Sequence, residues 1–121
     1  MDIVVPPPAA LKGFFLMSGR WGLSRAQERV LLATSESTLH RWRREPESAD
    51  PSSDQMERIS YVLGIFNDLH RILGDVPFAD EWVKRPNLDF GDDAPLNRML
   101  AGNVGDLAFV RTYVDRWAEG W

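Results

Sequence analysis

The chain has 121 residues, enough to bury most of its unfolded surface without cross-links, and no cysteine, which excludes disulfide scaffolds, thiolate metal sites and cysteine nucleophiles. Its net charge of −4 argues against nucleic-acid binding only until it is divided: six Arg against Glu28 and Glu36 leave residues 20–44 at +4, while residues 45–74 and 75–121 each stand at −4. The first ten residues, MDIVVPPPAA, have no basic start, and no later stretch is long enough to span a membrane, so a cytoplasmic protein without a membrane partner is expected.

After a stiff lead at Val4-Val5-Pro6-Pro7-Pro8, the spacing of Leu11, Phe14, Phe15 and Met17 predicts a helix over Ala9 to Arg20 with its aromatics inward. A turn follows at Trp21-Gly22. Ser24 with Gln27 forms the pattern of a capping box, opening a helix whose Val30 and Leu31 or Leu32 face inward. Ala33-Thr34 is a brief turn without the Gly such turns often use, and Ser35 caps a second helix, Glu36 to Arg44.

That second helix puts Leu39 and Trp42 on one face, hydroxyls near its start and arginines near its end. Two short helices joined so tightly match the mechanics of a helix-turn-helix, in which small polar side chains approach base edges and cations meet phosphates. The DNA-facing candidates are Arg25, Ser35, Ser37, Thr38, His40, Arg41, Arg43 and Arg44. The competing reading is a solvated basic helix with a core Trp42.

Glu45 to Ser53, acidic and rich in Pro and Ser, reads as a linker dividing the DNA-facing half from the rest. Asp54 to Leu73 then carries two adjacent apolar rows, wider than a surface helix requires. It is either the spine between two halves or a homodimer interface, or both, with Ile59, Leu63 and Phe66 as the dimer candidates and Gly64 allowing a close backbone approach. Gly74-Asp75-Val76-Pro77 breaks it, and Pro77 to Lys84 reads as a short helix holding Phe78 and Trp82.

The last stretch predicts two more helices. Asp93 is the expected N-cap of the first, with Pro95 in its first turn, Leu96, Met99 and Leu100 as its apolar face and Gly102 as its stop. Asp106 is the expected cap of the second, in which Leu107, Val110, Val114 and Trp117 line one side before Gly120 and Trp121. Trp121 either folds back onto its own helix pair or is delivered to a partner.

The ordered set Trp82, Pro86, Asn87, Phe90, Gly91, then Pro95, Leu96, Leu100, Gly102, then Val110, Arg111, Tyr113, Asp115, Gly120, Trp121 resembles the C-terminal toxin-binding domain of Xre/MbcA/ParS-type antitoxins. Asp92 departs from the pattern by standing where a second Gly is common, as does Ala118-Glu119 before Gly120. Thr38, Leu39, Arg41, Trp42 and Arg43 likewise resemble the recognition helix of the Xre class. The resemblance implies an all-α protein: an N-terminal helix-turn-helix bundle (1–52) joined by a long central, dimerising helix (53–74) to a small helical toxin-binding domain (75–121).

Its implied partners are a cognate toxin, often a RES-domain enzyme that degrades NAD, and operator DNA, in a homodimer or a larger complex with the toxin. The residues expected to meet the toxin are Arg85, Asn87, Phe90, Arg111, Asp115, Trp117, Glu119, Gly120 and Trp121. The segment from Asp115 to Trp121 has the composition of an acidic plug: Glu119 and the terminal carboxylate suit cationic groups that hold the phosphates of NAD, and Trp121 suits a stacking slot. A stand-alone dimeric helix-turn-helix regulator is the alternative.

Catalysis needs a constellation, and the sequence offers none. His40 and His70 are the only histidines and lack a metal-ligand partner at helical spacing; Asp80-Glu81 and Asp92-Asp93 read as a solvated face and a helix cap. No enzyme, metal or cofactor is expected.

Overall fold

The computed structural model describes residues 5–74 and 77–120, and seven α-helices with no strand make up their regular structure. The chain forms two compact units, Met1–Ser60 and Tyr61–Trp121, the division falling inside α4 (Ser53–Leu73). The residues expected to form a separate central segment are therefore shared between the units.

In the first unit, α1 runs over Pro7–Trp21, starting earlier than the spacing of its apolar residues suggests. Pro7 and Pro8 occupy the first turn, where the missing N–H has no intrahelical partner to lose. Gly22 ends α1 in the left-handed conformation at φ 68°, and the Leu23 N–H closes onto the Ser18 carbonyl. Helix α2 (Arg25–Leu32) begins with the expected capping box, Ser24 accepting from the Gln27 N–H and Gln27 returning the bond to the Ser24 N–H. Helix α3 (Glu36–Arg44) is capped by Ser35, whose hydroxyl accepts from the Thr38 N–H. Leu11, Phe14, Met17, Trp21, Leu39 and Trp42 are buried among these helices, each contributing roughly 1.5–3 kcal/mol by leaving water. Leu31 and Leu32 face inward, but Val30 does not: it is one of the exposed large hydrophobic residues.

The segment read as a linker is folded into this unit. Pro46–Ser48 forms a turn of 3-10 helix against α1, where Lys12 reaches Glu47 at 2.6 Å. Ser52 and Gln55 form a second capping box that opens α4, and the Gln55 side-chain amide also donates to the Ala33 carbonyl. Along α4 one row is fully buried at Ile59, Val62, Ile65 and Leu69, beside a half-buried row that includes Leu63 and Phe66.

In the second unit, α5 (Pro77–Glu81) tightens into 3-10 helix at Trp82–Lys84, burying Ala79, Trp82 and Val83. Phe78 stays exposed, beneath the Arg85 guanidinium at 5.1 Å, rather than being held in the core. Helix α6 is short, Pro95–Met99, and its N-cap is Ala94. Asp93 sits one residue too early to cap; its carboxylate instead accepts from the Ala94 N–H at 2.8 Å and the Asn97 side chain at 2.6 Å. Helix α6 ends before Gly102, which takes φ 98° in the following loop.

Helix α7 (Val104–Ala118) starts two residues before the expected cap. Asn103 is its N-cap, and Asp106, in the first turn, is held by Arg98 at 2.6 Å. Leu107, Val110 and Val114 form the buried row, with Trp117 half-buried.

Candidate functional site

The helix-turn-helix geometry rests on a turn that the sequence does not advertise. Ala33 occupies the left-handed region at φ 50°, doing without Gly what a Gly would do at lower conformational cost. Its N–H and that of Thr34 close onto the Val30 and Arg29 carbonyls, so α3 starts immediately.

Helix α3 then sorts its residues by angle. Ser37, His40, Arg41 and Arg44 fall on one exposed stripe, opposite Leu39 and Trp42. Arg41 and Arg44 have only loose partners, Asp50 at 3.5 Å and Glu45 at 3.3 Å, and such exposed pairs leave both guanidiniums available. Arg25 is exposed at the first turn of α2. Ser35 and Thr38 lie off the stripe, tied to each other by the cap and by a hydroxyl bond of 3.0 Å.

Arg43, though part-exposed, turns away from the stripe toward α1 and α2. Its two terminal nitrogens donate to both oxygens of Glu28 at 3.0 and 2.6 Å, and its guanidinium lies 4.3 Å over the Phe15 ring. Glu28 is 1% exposed and also accepts from the Ser18 hydroxyl at 2.5 Å. This cluster ties α1, α2 and α3 together, and Arg43, expected among the phosphate contacts, is instead spent on it. No sequence spacing marks the pair, because its members are 15 residues apart.

In the second unit, residues 87–93 form a tight turn. Asn87 pairs with Asp93 in a single β-bridge and its side chain caps the 3-10 turn Leu88–Phe90 by accepting from the Asp89 N–H. Gly91 and Asp92 both take positive φ, 70° and 63°, so Asp92 adopts the conformation that explains why Gly is common there. Trp82, Phe90, Tyr113 and Trp117 gather into an aromatic cluster with neighbouring centroids 5.0–6.1 Å apart. Tyr113 donates its hydroxyl to Asp89 at 2.7 Å; burial first, then that bond, raises its pKa above the ordinary value. Arg85 is exposed and paired with Glu81 at 2.6 Å.

Arg111 and Asp115 lie in a charged network rather than a free tail. Arg111 donates to Asp115 at 2.9 Å, stands 3.9 Å from Asp68, and its guanidinium fills the space over Gly64, where any Cβ would collide with it. The close approach at Gly64 is thus made by a side chain, not a backbone. Burial, then a hydrogen bond and repulsion from Asp115, push the Asp68 carboxyl up to about 6, against Arg71 and Arg111. Burial also works to raise Asp115, but bonds from Asp68 and Arg111 outweigh it and hold Asp115 below the usual range. Helix α7 continues to Ala118, so only Glu119 and Gly120 follow it among the described residues, and Trp121 lies outside them.

Two further expectations are corrected. Ile59 is 1% exposed within the chain itself, which leaves it no surface to offer a second copy. Asp80 is not a solvated acid: it faces His70 Nε2 at 3.1 Å with both side chains largely buried. The sequence reading also missed Leu88, at 85% the most exposed large hydrophobic among the described residues, and Phe109 at 44%. Phe109 was detectable as an aromatic residue off the Leu107–Val110–Val114 row; Leu88 lay inside a turn with no periodicity to read.

A helix-turn-helix with a cationic outer stripe is followed by a helical unit of net negative charge that carries an aromatic cluster, the arrangement of a two-domain protein with a helix-turn-helix at its front. Residues 4–64 match the antitoxin Xre-like helix-turn-helix domain, and residues 68–120 match the antitoxin Xre/MbcA/ParS C-terminal toxin-binding domain. The uncharacterized protein y4oB of Sinorhizobium fredii is 35% identical over 114 residues, covering 93% of this chain and 87% of that protein. The chain belongs to the Xre/MbcA/ParS family of antitoxins, and neither of its domains is that of an enzyme. Among the described residues no helix is long and apolar enough to cross a membrane.

Proposed function

We propose that this antitoxin neutralises a RES-domain, NAD-degrading toxin in the cytoplasm by blocking its active site with the C-terminal unit, and that α3 binds the operator of its own operon. The observation that carries the reading is the matched toxin-binding domain at 68–120, borne by a unit whose ten acids outnumber its six bases. A site that holds the phosphates of NAD must be cationic, and an acidic inhibitor is its natural complement. Glu119, Gly120 and Trp121 form the segment that enters the cleft, with Arg85, Asn87, Phe90 and Trp117 presenting the surface behind it.

On the DNA side, Ser37 and His40 approach base edges while Arg25, Arg41 and Arg44 meet phosphates. Leu63 and Phe66 are the half-buried positions through which two copies pair, which would let two half-sites be engaged together.

The test is cellular NAD content when the toxin encoded beside this gene is co-expressed with the antitoxin. The intact chain preserves NAD, and deletion of Gly120 and Trp121 lets it fall; unchanged protection removes the plug from the mechanism. On promoter DNA, Arg41→Ala and Arg44→Ala each lower the slope of log affinity against log salt by about 1, and an unaltered slope rules these contacts out.

A further inference from the structure

Helix α7 has a second face. Opposite its buried row, Gly105, Ala108, Phe109, Thr112, Tyr113 and Arg116 line an open groove of about 500 Å³. The turn at Leu88–Phe90 borders it: the Phe90 ring meets Phe109 edge-on at 5.9 Å, and Tyr113 holds Asp89. Leu88 opens that bordering turn at 85% exposure, the most exposed large apolar side chain described. The turn that carries it is fixed by the Asn87–Asp93 bridge, the Asn87 cap and two positive-φ residues, so Leu88 is presented in advance rather than ordered on contact.

Charge selects the occupant. Asp89, Asp92 and Asp93 are all exposed around Leu88, and the unit from Tyr61 onward carries ten acids against six bases. The same face of a second copy brings the same surplus of acid to the contact, and DNA brings phosphates, so neither complements it. Arg98, stacked 4.1 Å over Phe109, is already neutralised by Asp106, which its hydrogen bond holds below the usual carboxylate range; Arg116 is the one cation of the groove wall.

We propose that this groove and Leu88 form the main docking surface for the toxin, receiving an apolar helix or loop flanked by Lys or Arg. The inference rests on the toxin-binding function proposed above and divides its labour: the α7 face supplies affinity, and the segment after Ala118 supplies occlusion of the active site. Gly105 and Ala108 leave room for the toxin element to lie close to α7, Phe109 gives it an aromatic wall, and Leu88 enters an apolar pocket rimmed by cations.

The experiment measures binding of full-length antitoxin to the catalytically inactivated product of the adjoining toxin gene. Leu88→Ser and Thr112→Arg change exposed side chains, and a thermal melt of each variant shows whether the fold is intact. Each is expected to weaken binding at least tenfold, whereas removing Glu119, Gly120 and Trp121 abolishes neutralisation while leaving affinity within about fivefold. Binding within twofold of the intact chain for both substitutions, with unchanged melts, overturns the proposal and leaves the toxin-binding function standing. A change of oligomeric size in either variant with toxin affinity unaltered also overturns it, by assigning the face to a second copy. If the intact chain does not bind the toxin at all, the proposed function falls and this surface falls with it.

Discussion

Replacing Arg43 and Arg44 in turn separates a structural cation from an exposed one. In Arg43→Ala, Glu28, 1% exposed in the intact chain, loses two charge-assisted bonds, at 3.0 and 2.6 Å, and keeps the Ser18 hydroxyl. Breaking a buried pair by removing one member costs about 3–5 kcal/mol because a charge stays behind without its partner. Arg43 itself is 36% exposed, so water reaches its end of the pair; that lowers the figure, while lost stacking on Phe15 adds about 0.5–1 kcal/mol. The expected destabilisation is about 3 kcal/mol, a large share of the 5–15 kcal/mol typical of a folded domain. Arg44→Ala, which removes only an exposed 3.3 Å pair with Glu45, is expected to stay within about 0.5 kcal/mol. Urea unfolding followed by tryptophan fluorescence measures both. Glu28→Gln combined with Arg43→Met recovers part of the loss, since no unpaired charge is left inside. Equal stability of Arg43→Ala and Arg44→Ala would refute the assignment and return Arg43 to the phosphate contacts.

Ala33→Gly relieves a left-handed alanine that costs about 1–2 kcal/mol, against the greater unfolded freedom of Gly, for a net gain of about 0.5–1 kcal/mol; a lower urea midpoint counts against the strain. Asp68 has a folded-state pKa of about 6 against 3.8, so the stability it contributes is full below pH 4 and is lost as pH rises through 6, a change on the order of 2 kcal/mol. The depressed Asp115 acts only in acid, outside that window, so Asp68→Asn should flatten thermal stability between pH 5 and 7.5 relative to the intact chain; parallel curves would exclude the raised Asp68 carboxyl. Tyr113→Phe removes the bond to Asp89 and should cost about 1 kcal/mol with faster amide exchange across 87–93; unchanged exchange would show that the turn holds without it.

Helix starts set by neighbours in sequence were legible, and those set by contacts across the fold were not. Ser24 with Gln27 and Ser35 with Thr38 complete their caps within three residues, so composition alone marks them. Asp93 and Asp106 carry the same chemistry, yet each sits in the wrong register: one is recruited by Asn97 and the other by Arg98, and a cap written in side-chain type has no way to show that competition. The acidic Pro-Ser stretch failed for a related reason. Its composition suits a linker, but Pro46–Ser48 packs on α1, where Lys12 meets Glu47, 35 residues later, and Ser52 begins the next helix as soon as the chain leaves it. The charge of the basic block was legible but not the surroundings of each cation, because charge counting treats Arg43 and Arg44 alike while a helix turns adjacent residues about 100° apart. That one turn puts Arg44 on the outer stripe with Ser37 and Arg41, and Arg43 against Glu28. The exposed stripe of α3 therefore has fewer cations than the sequence counts, and the helix that carries it is held to α2 by the cation left off it.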